Sequence, residues 1–350
     1  MVIPGISNPA VPYGSTIVVT GASGFIGSHV VDQALAEGYK VRATSRNVSS
    51  SSCLCEHFNK KYGPGSVDLV EVADMEVDGA FDAAVRGTAG FVHVAHDMTG
   101  SRDPDVHIPR TVSSAINALK AAATEPGLRR FVYTSSSFAV TQPKPNKQFT
   151  VTTDTFNQEA VDRCKQPNPS GETVYSASKV AAERAIAQWV QDHKPSFVVN
   201  TLQPNANIGP LIDSEKQGYP TSARWVYALW NNDYDSLAND KPQHFINVQD
   251  DARLHVIALA HPYLQHERIF AIAAPVNMQD IIVILRKLHP TRHWEDFPNN
   301  DKDLSIVEPS KRAEALLREA YGSGFIGLED TVRGNAQDLA RGYLGKDGRD

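Results

Sequence analysis

Cysteine is scarce in this chain: Cys53, Cys55 and Cys164 are the only three in 350 residues. Three thiols cannot all pair within one chain, so a disulfide framework is excluded as the source of stability. Cys53 and Cys55 have C-x-C spacing, but no second cysteine pair or histidine arrangement completes a metal site. Reduced thiols and no metal are therefore expected. Long apolar runs are also missing, and the start carries Pro4, Pro9 and Pro12 where a secretory or membrane-spanning stretch would be continuous. A cytoplasmic protein with no membrane partner is the expectation, and the sequon at Asn47 and Ser49 reads as incidental. There is no large excess of charge of one sign, with 34 basic residues against 40 acidic ones. The pairs Lys60-Lys61 and Arg129-Arg130 are too sparse to form a polyanion-binding stripe, so nucleic acid is not an expected partner. What the chain does have is apolar residues, 41% of the total, enough to bury a core for one large or two interleaved domains.

Residues 16–29 read TIVVTGASGFIGSH. A β-rich apolar run enters a turn with glycines at 21, 24 and 27, and a helical pattern follows. Glycines let the backbone approach a dinucleotide, and the positive end of the next helix faces its pyrophosphate. Gly21, Ser23, Gly24, Phe25, Ile26 and Gly27 are accordingly assigned to cofactor binding. Glycine spacing alone does not carry this. Residues 323–327 repeat Ser-Gly-Phe-Ile-Gly, but they follow a helical run with no strand before it, so they read as a helix stop and turn.

From 16 to about 203 short apolar runs alternate with longer helical ones, the pattern of a covered parallel sheet. Strands are predicted at 17–20, 40–44, 67–72, 90–95, 130–134 and 196–202, and helices at 27–37, 112–123 and 176–190. Beyond Pro204 the pattern is less regular: a helix near 225–229, a short strand at 245–248, a helix at 251–260 and a returning strand at 268–272. Further helical patterns lie at 281–288 and 311–320. The fold class is α/β, a Rossmann-like doubly wound parallel sheet with a smaller mixed C-terminal region. Residues 12–203, with returns near 245–275, form the dinucleotide-binding core, and 204–244 with 276–345 form the substrate region.

Tyr175 and Lys179 stand four residues apart, on one face of a helix. A free phenol has a pKa near 10, and a nearby ammonium stabilises the phenolate and brings its proton affinity toward the working range. Tyr175 is then suited to protonate the oxygen formed when hydride reaches a carbonyl carbon. The strand at 130–134 enters Ser135, Ser136 and Ser137 at the sheet edge where ligands bind. Any of the three hydroxyls could hold the substrate oxygen or stabilise a turn.

The glycine turn, the Thr134-Ser135-Ser136 segment, Tyr175 with Lys179, residues 41–46, Asp74-Met75 and residues 202–210 occur in an order that resembles the extended short-chain dehydrogenase/reductases. The resemblance covers almost the whole chain and is strongest to the dihydroflavonol-reductase-like group, especially fungal and yeast NADPH-dependent aldehyde or ketone reductases. It implies Ser136 as the carbonyl-oxygen donor, Tyr175 as proton donor and Lys179 as ribose-binding and pKa-tuning residue. Asp74, with Met75, falls at the adenine contact, and Asn117 is a candidate for the relay asparagine of some members.

Cofactor choice has its own argument. In place of the acid that NAD-selective sites often present after the second strand, the chain has Arg46, with Arg42 just before it, and guanidinium groups favour the ribose phosphate of NADPH. Val94, Ala95 and Thr134 at strand ends, and Pro204, Asn205 and Asn207 beyond the sixth strand, complete the cofactor set. Phe138, Tyr219 and Trp225 are candidate substrate-pocket residues beside Ser136 and Tyr175, with Trp230 and Phe245 as further aromatics; core packing serves each equally well. The expected function is reduction of a small aldehyde or ketone by a monomer or homodimer. An NAD-dependent nucleotide-sugar epimerase or dehydratase and a non-catalytic NADPH sensor or scaffold are the alternatives.

Overall fold

Buried parallel strands need helices on both faces to cover them, and the computed structural model, which describes residues 2–342, has that architecture. The first half alternates as β1 (Thr16–Thr20), α1 (Phe25–Ala36), β2 (Lys40–Ser45), α2 (Val48–Tyr62), β3 (Val67–Glu71), α3 (Asp82–Val85), β4 (Gly90–His93), α4 (Pro104–Thr124) and β5 (Arg130–Thr134). Then come β6 (Thr150–Val151), α5 (Gln158–Arg163), α6 (Gly171–His193), β7 (Val198–Leu202), β8 (Ala206–Ile208), α7 (Ser214–Gln217) and α8 (Arg224–Trp230). The chain continues through β9 (Gln243–Asn247), α9 (Val248–Ala260), β10 (Arg268–Ile269), β11 (Ala274–Val276) and α10 (Met278–Leu288). It closes with β12 (Ile306–Val307), α11 (Ser310–Tyr321), α12 (Leu328–Asn335) and α13 (Gln337–Ala340). The last three residues of the predicted substrate region, 343–345, lie outside the described residues.

The main sheet runs β10-β7-β5-β4-β1-β2-β3, and every pairing is parallel. Strand order reverses between β1 and β4, which opens a crevice at their C-terminal ends. One face of the sheet is covered by α1, α9 and α11, through residues such as Val30, Val31, Leu254, Ile257 and Leu316. The other carries α4 and α6, with Leu119, Phe131, Ile186 and Trp189 in contact. A separate core around Tyr219, Trp225, Leu229 and Trp294 supports the later chain.

The chain does return to the main sheet late, since β10 pairs with β7 at Arg268 and Thr201. The strand predicted at 245–248 belongs elsewhere. As β9 it joins a small sheet ordered β11-β9-β8, because Asn207 pairs with Ile246, while α9, β10 and later α11 rejoin the dinucleotide core. Several helices exceed or escape prediction, α4 and α2 among them. Helix α4 begins at Pro104 because Asp103 caps it, accepting from Asp105 N at 3.0 Å, and α2 was not foreseen in its serine-rich sequence. The repeated pentapeptide behaves as read: Gly322 ends α11 in the left-handed conformation at φ +78°.

Gly27 is required by packing. A Cβ there would lie 2.0 Å from the Gly21 carbonyl oxygen, so the first turn of α1 could not sit against the end of β1. Gly27→Ala is expected to destabilise the apoprotein by about 1–3 kcal/mol, a loss to be read as a lowered urea midpoint at unchanged m-value.

Candidate active site

The crevice begins at the glycine turn. Gly21 adopts φ +64°, and a Cβ on it would meet Ala95 Cα at 2.9 Å, so this glycine allows β1 and β4 to end side by side. Thr20 Oγ1 ties the two ends together by accepting from Val94 N and Ala95 N, both at 3.0 Å. Its own proton goes to His93 Nδ1, 3.0 Å away, while His93 Nε2 lies 3.2 Å from Ser114 Oγ. Burial holds His93 neutral, with its pKa lowered to about 3. Helix α1 starts at Phe25 behind Gly24, with no side-chain cap and no acid in its first turn. Open amides and a positive helix end suit a pyrophosphate, so the turn fits a dinucleotide. Gln217 of α7 steadies it from outside, donating to Ser23 O at 3.3 Å and Ser28 Oγ at 2.9 Å, a contact across 194 residues that no local pattern signals.

Strand β5 and helix α6 bring the second half of the crevice together. Lys179 Nζ donates to the Thr134 carbonyl at 2.9 Å and lies 5.9 Å from the Tyr175 ring centre. The three serines after β5 separate cleanly. Ser135 Oγ donates to Glu183, one turn beyond Lys179 on α6, and Glu183 is held from the other side by Arg268 Nε at 2.8 Å. The Ser137 amide donates to the Pro204 carbonyl at 2.9 Å and opens a single 3-10 turn. Ser136 Oγ accepts from Phe138 N at 3.1 Å and lies near enough to the Tyr175 phenol to lower its pKa, which makes it the hydroxyl that shares the site.

Burial sets the protonation states here. It raises the Tyr175 phenol above its ordinary value, with Ser136 drawing it back in part, and it lowers Lys179 to about 7 against the upward pull of Glu183. The expectation that an ammonium alone lowers the phenol is therefore corrected. Desolvation is the larger influence on the phenol, and Lys179 itself sits near half-protonation at neutral pH. Behind it, His255 Nδ1 donates to the Asp251 carbonyl at 2.8 Å, so its Nε2, 2.8 Å from Thr134 Oγ1, accepts the threonine proton and fixes the end of β5.

On the adenine side, Asp74 Oδ1 accepts from Glu76 N at 2.8 Å, and Met75 packs against the α4–α6 core. Asn117 Nδ2 donates to the carbonyls of Met75, Glu76 and Val77 at 3.2, 2.8 and 3.1 Å. The Asn117 side-chain amide is thus a clamp on the loop after β3. Arg42 is also committed elsewhere: it points across β2, and Nη1 donates to the carbonyls of Ala84 and Arg86 at 3.0 and 2.6 Å. Arg46 is exposed just past the end of β2.

Beyond β7, Asn205 Oδ1 accepts from Ala206 N at 2.8 Å, and Asn207 Nδ2 donates to the Asn205 carbonyl at 3.2 Å. Asn207 Oδ1 is buried without a partner, so an acceptor remains there. Pro204 carries the chain past Ser137. Phe138 stands edge-on to Tyr175 with ring centres 6.1 Å apart, and a shallow cleft opens beside it, lined also by Asn205, Val140, Phe149 and His244. The other aromatics do not line it. Tyr219, Trp225, Trp230 and Phe245 are buried in the second core, where Tyr219 stacks on Tyr227 and the Trp225 indole donates to Asp240 at 3.2 Å. Their apolar area serves that core rather than a pocket wall. The residue that sequence reasoning missed is His96. Its ring meets Tyr175 edge-on at 5.1 Å, and the only hint was a second histidine three residues after His93.

Comparison with known proteins agrees with this architecture. The profile of the NAD dependent epimerase/dehydratase family matches residues 17–273. Aldehyde reductase 2 of Sporidiobolus salmonicolor is 34% identical over 335 residues, which cover 94% of this chain and 97% of that protein. A ketoreductase of Penicillium rubens is 35% identical, with 93% and 97% covered. The crystal structure of the yeast methylglyoxal/isovaleraldehyde reductase complexed with NADPH shares the fold, with a TM-score of 0.80 at 22% identity over 93% of this chain and 98% of that one.

The lowered Lys179 pKa has a consequence for stability. An unfolded lysine titrates near 10.4, so between about pH 7 and that value the unfolded chain keeps a proton the folded one has lost, and stability rises with pH. Below about 7 the cost of burying the charge is constant. Urea midpoints of the apoprotein measured at about pH 7 and about pH 9 should therefore rise more in the native chain than in Lys179→Met. Equal changes in the two proteins would refute the buried titration.

Proposed function

The chain belongs to the NAD dependent epimerase/dehydratase family, and on that footing we propose that it reduces an aldehyde or ketone to the corresponding alcohol with NADPH. One observation carries this reading: Ser136, Tyr175 and Lys179 converge at the C-terminal ends of β5 and α6's first turns, beside an uncapped glycine turn that fits a dinucleotide. The relatives named for aldehyde and ketone reduction, and the NADPH complex of the same fold, support both substrate class and cofactor.

NADPH supplies the hydride when bound. Gly21, Ser23, Gly24 and the amides of Phe25 and Ile26 would hold its pyrophosphate, and Arg46 its ribose phosphate. Asp74 and Met75 border the adenine side, while Val94, Ala95, Thr134, Pro204, Asn205 and Asn207 line the path toward the reacting end. Ser136 donates to the carbonyl oxygen and keeps it on Tyr175, whose O–H proton passes to that oxygen as negative charge develops. Lys179 has a place on the ribose. Burial also raises the phenol above its ordinary value, so it starts each reduction as an acid. Phe138 and the cleft beside it take the rest of the substrate.

Tyr175→Phe is expected to bind NADPH normally and to lose about a hundredfold or more in kcat, and Ser136→Ala a comparable factor. Initial rates on a panel of aldehydes and ketones, with the alcohol product identified, check both. Arg46→Ala should raise the KM for NADPH about tenfold or more and leave that for NADH within a factor of about three. Equal effects on the two cofactors would remove Arg46 from phosphate recognition.

A further inference from the structure

The cleft beside Phe138 has apolar sides from Val140, Phe149 and Val307, and among the described residues His244 and Asp303 are the only ionisable side chains that line it. Both are deeply buried, with side chains 8% and 7% exposed. Strands β8 and β9 run parallel with Ala206 opposite Phe245, which sets His244 beside Asn205 on the cleft. Across from them Asp303, Ser305 and Val307 face the cleft while Leu304 and Ile306 are exposed, the alternation of an extended chain. His244 Nδ1 lies 3.0 Å from Asp303 Oδ2, and Asp303 Oδ1 accepts from Ser305 N at 2.9 Å. Burial pushes the Asp303 carboxyl up, but its contacts with His244 and Ser305 draw it down further and leave it below the usual carboxylate range. The ionised carboxylate accepts the proton on Nδ1, and Nε2 is then the ring's one remaining polar atom. No described residue hydrogen-bonds Nε2, and unlike Asn207 Oδ1 it is not sealed from solvent. Because the ring is otherwise buried, Nε2 opens to the cleft that the ring lines. Joining β9 to the segment before β12 uses Nδ1 alone and leaves Nε2 for another partner.

We infer that His244 Nε2 selects for a hydroxyl that the substrate carries away from its reacting carbon, so that hydroxylated apolar aldehydes and ketones are the preferred class. The inference rests on the reductase reading of the site. With the carbonyl at Ser136 and Tyr175, the body of the substrate passes Phe138, whose ring borders both Tyr175 and the cleft. A hydroxyl suits Nε2 in either state of the ring: it donates to the bare nitrogen of a neutral imidazole and accepts from the N–H of an imidazolium. A carbonyl or ether oxygen pairs only with the protonated ring, and an ammonium only with the neutral one. A carboxylate would bring a second negative charge toward Asp303, and among the described residues no lysine or arginine lines the cleft to offset it.

The test uses acetophenone and benzylacetone, each against its meta- and para-hydroxyl derivatives. It reads kcat/KM for the hydroxylated ketone divided by that for the plain one, in the native enzyme and in His244→Phe. Comparing this ratio between the two proteins cancels the electronic effect of the hydroxyl on the carbonyl. In at least one pair the ratio is expected to fall about fivefold or more in the variant, the loss of one hydrogen bond to a buried nitrogen. A smaller change in every pair, including an equal loss on both members, overturns the inference. Thermal melting and NADPH fluorescence establish that the variant is folded. Should His244→Phe fail that control, the paired replacement His244→Phe with Asp303→Leu, which strands no carboxylate, is read by the same ratio and decides in the same way. Failure of the underlying reading is separate and visible: the native enzyme would then oxidise no NADPH with any carbonyl compound.

Discussion

The hydrogen bond from Lys179 Nζ to the Thr134 carbonyl holds the reactive centre together. It fastens α6 to the end of β5 in a place where a charged amine is poorly solvated, and each neighbouring feature follows from that join. Tyr175 is one helical turn before Lys179, and Glu183 one turn after it. Glu183 collects Ser135 and Arg268, so the next serine is left to meet the phenol. His255 bonds Thr134 from α9, the helix that also packs on α1 beneath the glycine turn. One buried contact thus connects α6, the strand that leads into the serines and the face of the sheet that carries the glycine turn.

The strand reversal between β1 and β4 does the corresponding work for the cofactor side. It separates the helices that follow the two strands, and Gly21 lets the strand ends lie close enough for Thr20 to bond both Val94 and Ala95. Burial lowers the charge on the polar groups beneath that crevice. His93 is locked between Thr20 and Ser114, and burial lowers Lys179 to about 7. A site of this kind presents neutral donors and acceptors of fixed direction to a substrate whose charge appears only during reaction.

Local pattern was enough for the elements that carry their own signal. Strand β1, the glycine turn and the start of α1 are contiguous, and the Tyr175–Lys179 spacing needs only a helix. Long-range partners decided the rest. Arg42 and Arg46 look equivalent in sequence, but strand alternation sends Arg42 across the sheet to the carbonyls of Ala84 and Arg86. Tyr219 and Trp225 have the composition of a pocket wall and the position of a core, because the small β8-β9-β11 sheet needs apolar cover. Asn117 became a loop clamp for a similar reason: three carbonyls of a distant turn converge on it.

The sequence by itself determined the parallel α/β fold, the dinucleotide turn and the identity of the tyrosine and lysine, since these depend on periodicity and on spacings within a single turn of helix or chain. Only the tertiary structure decided which of three adjacent serines reaches the phenol, how far burial moves the protonation of Tyr175 and Lys179, and that His96 stands against the catalytic ring. Those outcomes depend on desolvation and on contacts between residues far apart in the chain, such as Thr134 with His255 and His96 with Tyr175, and no local pattern encodes either.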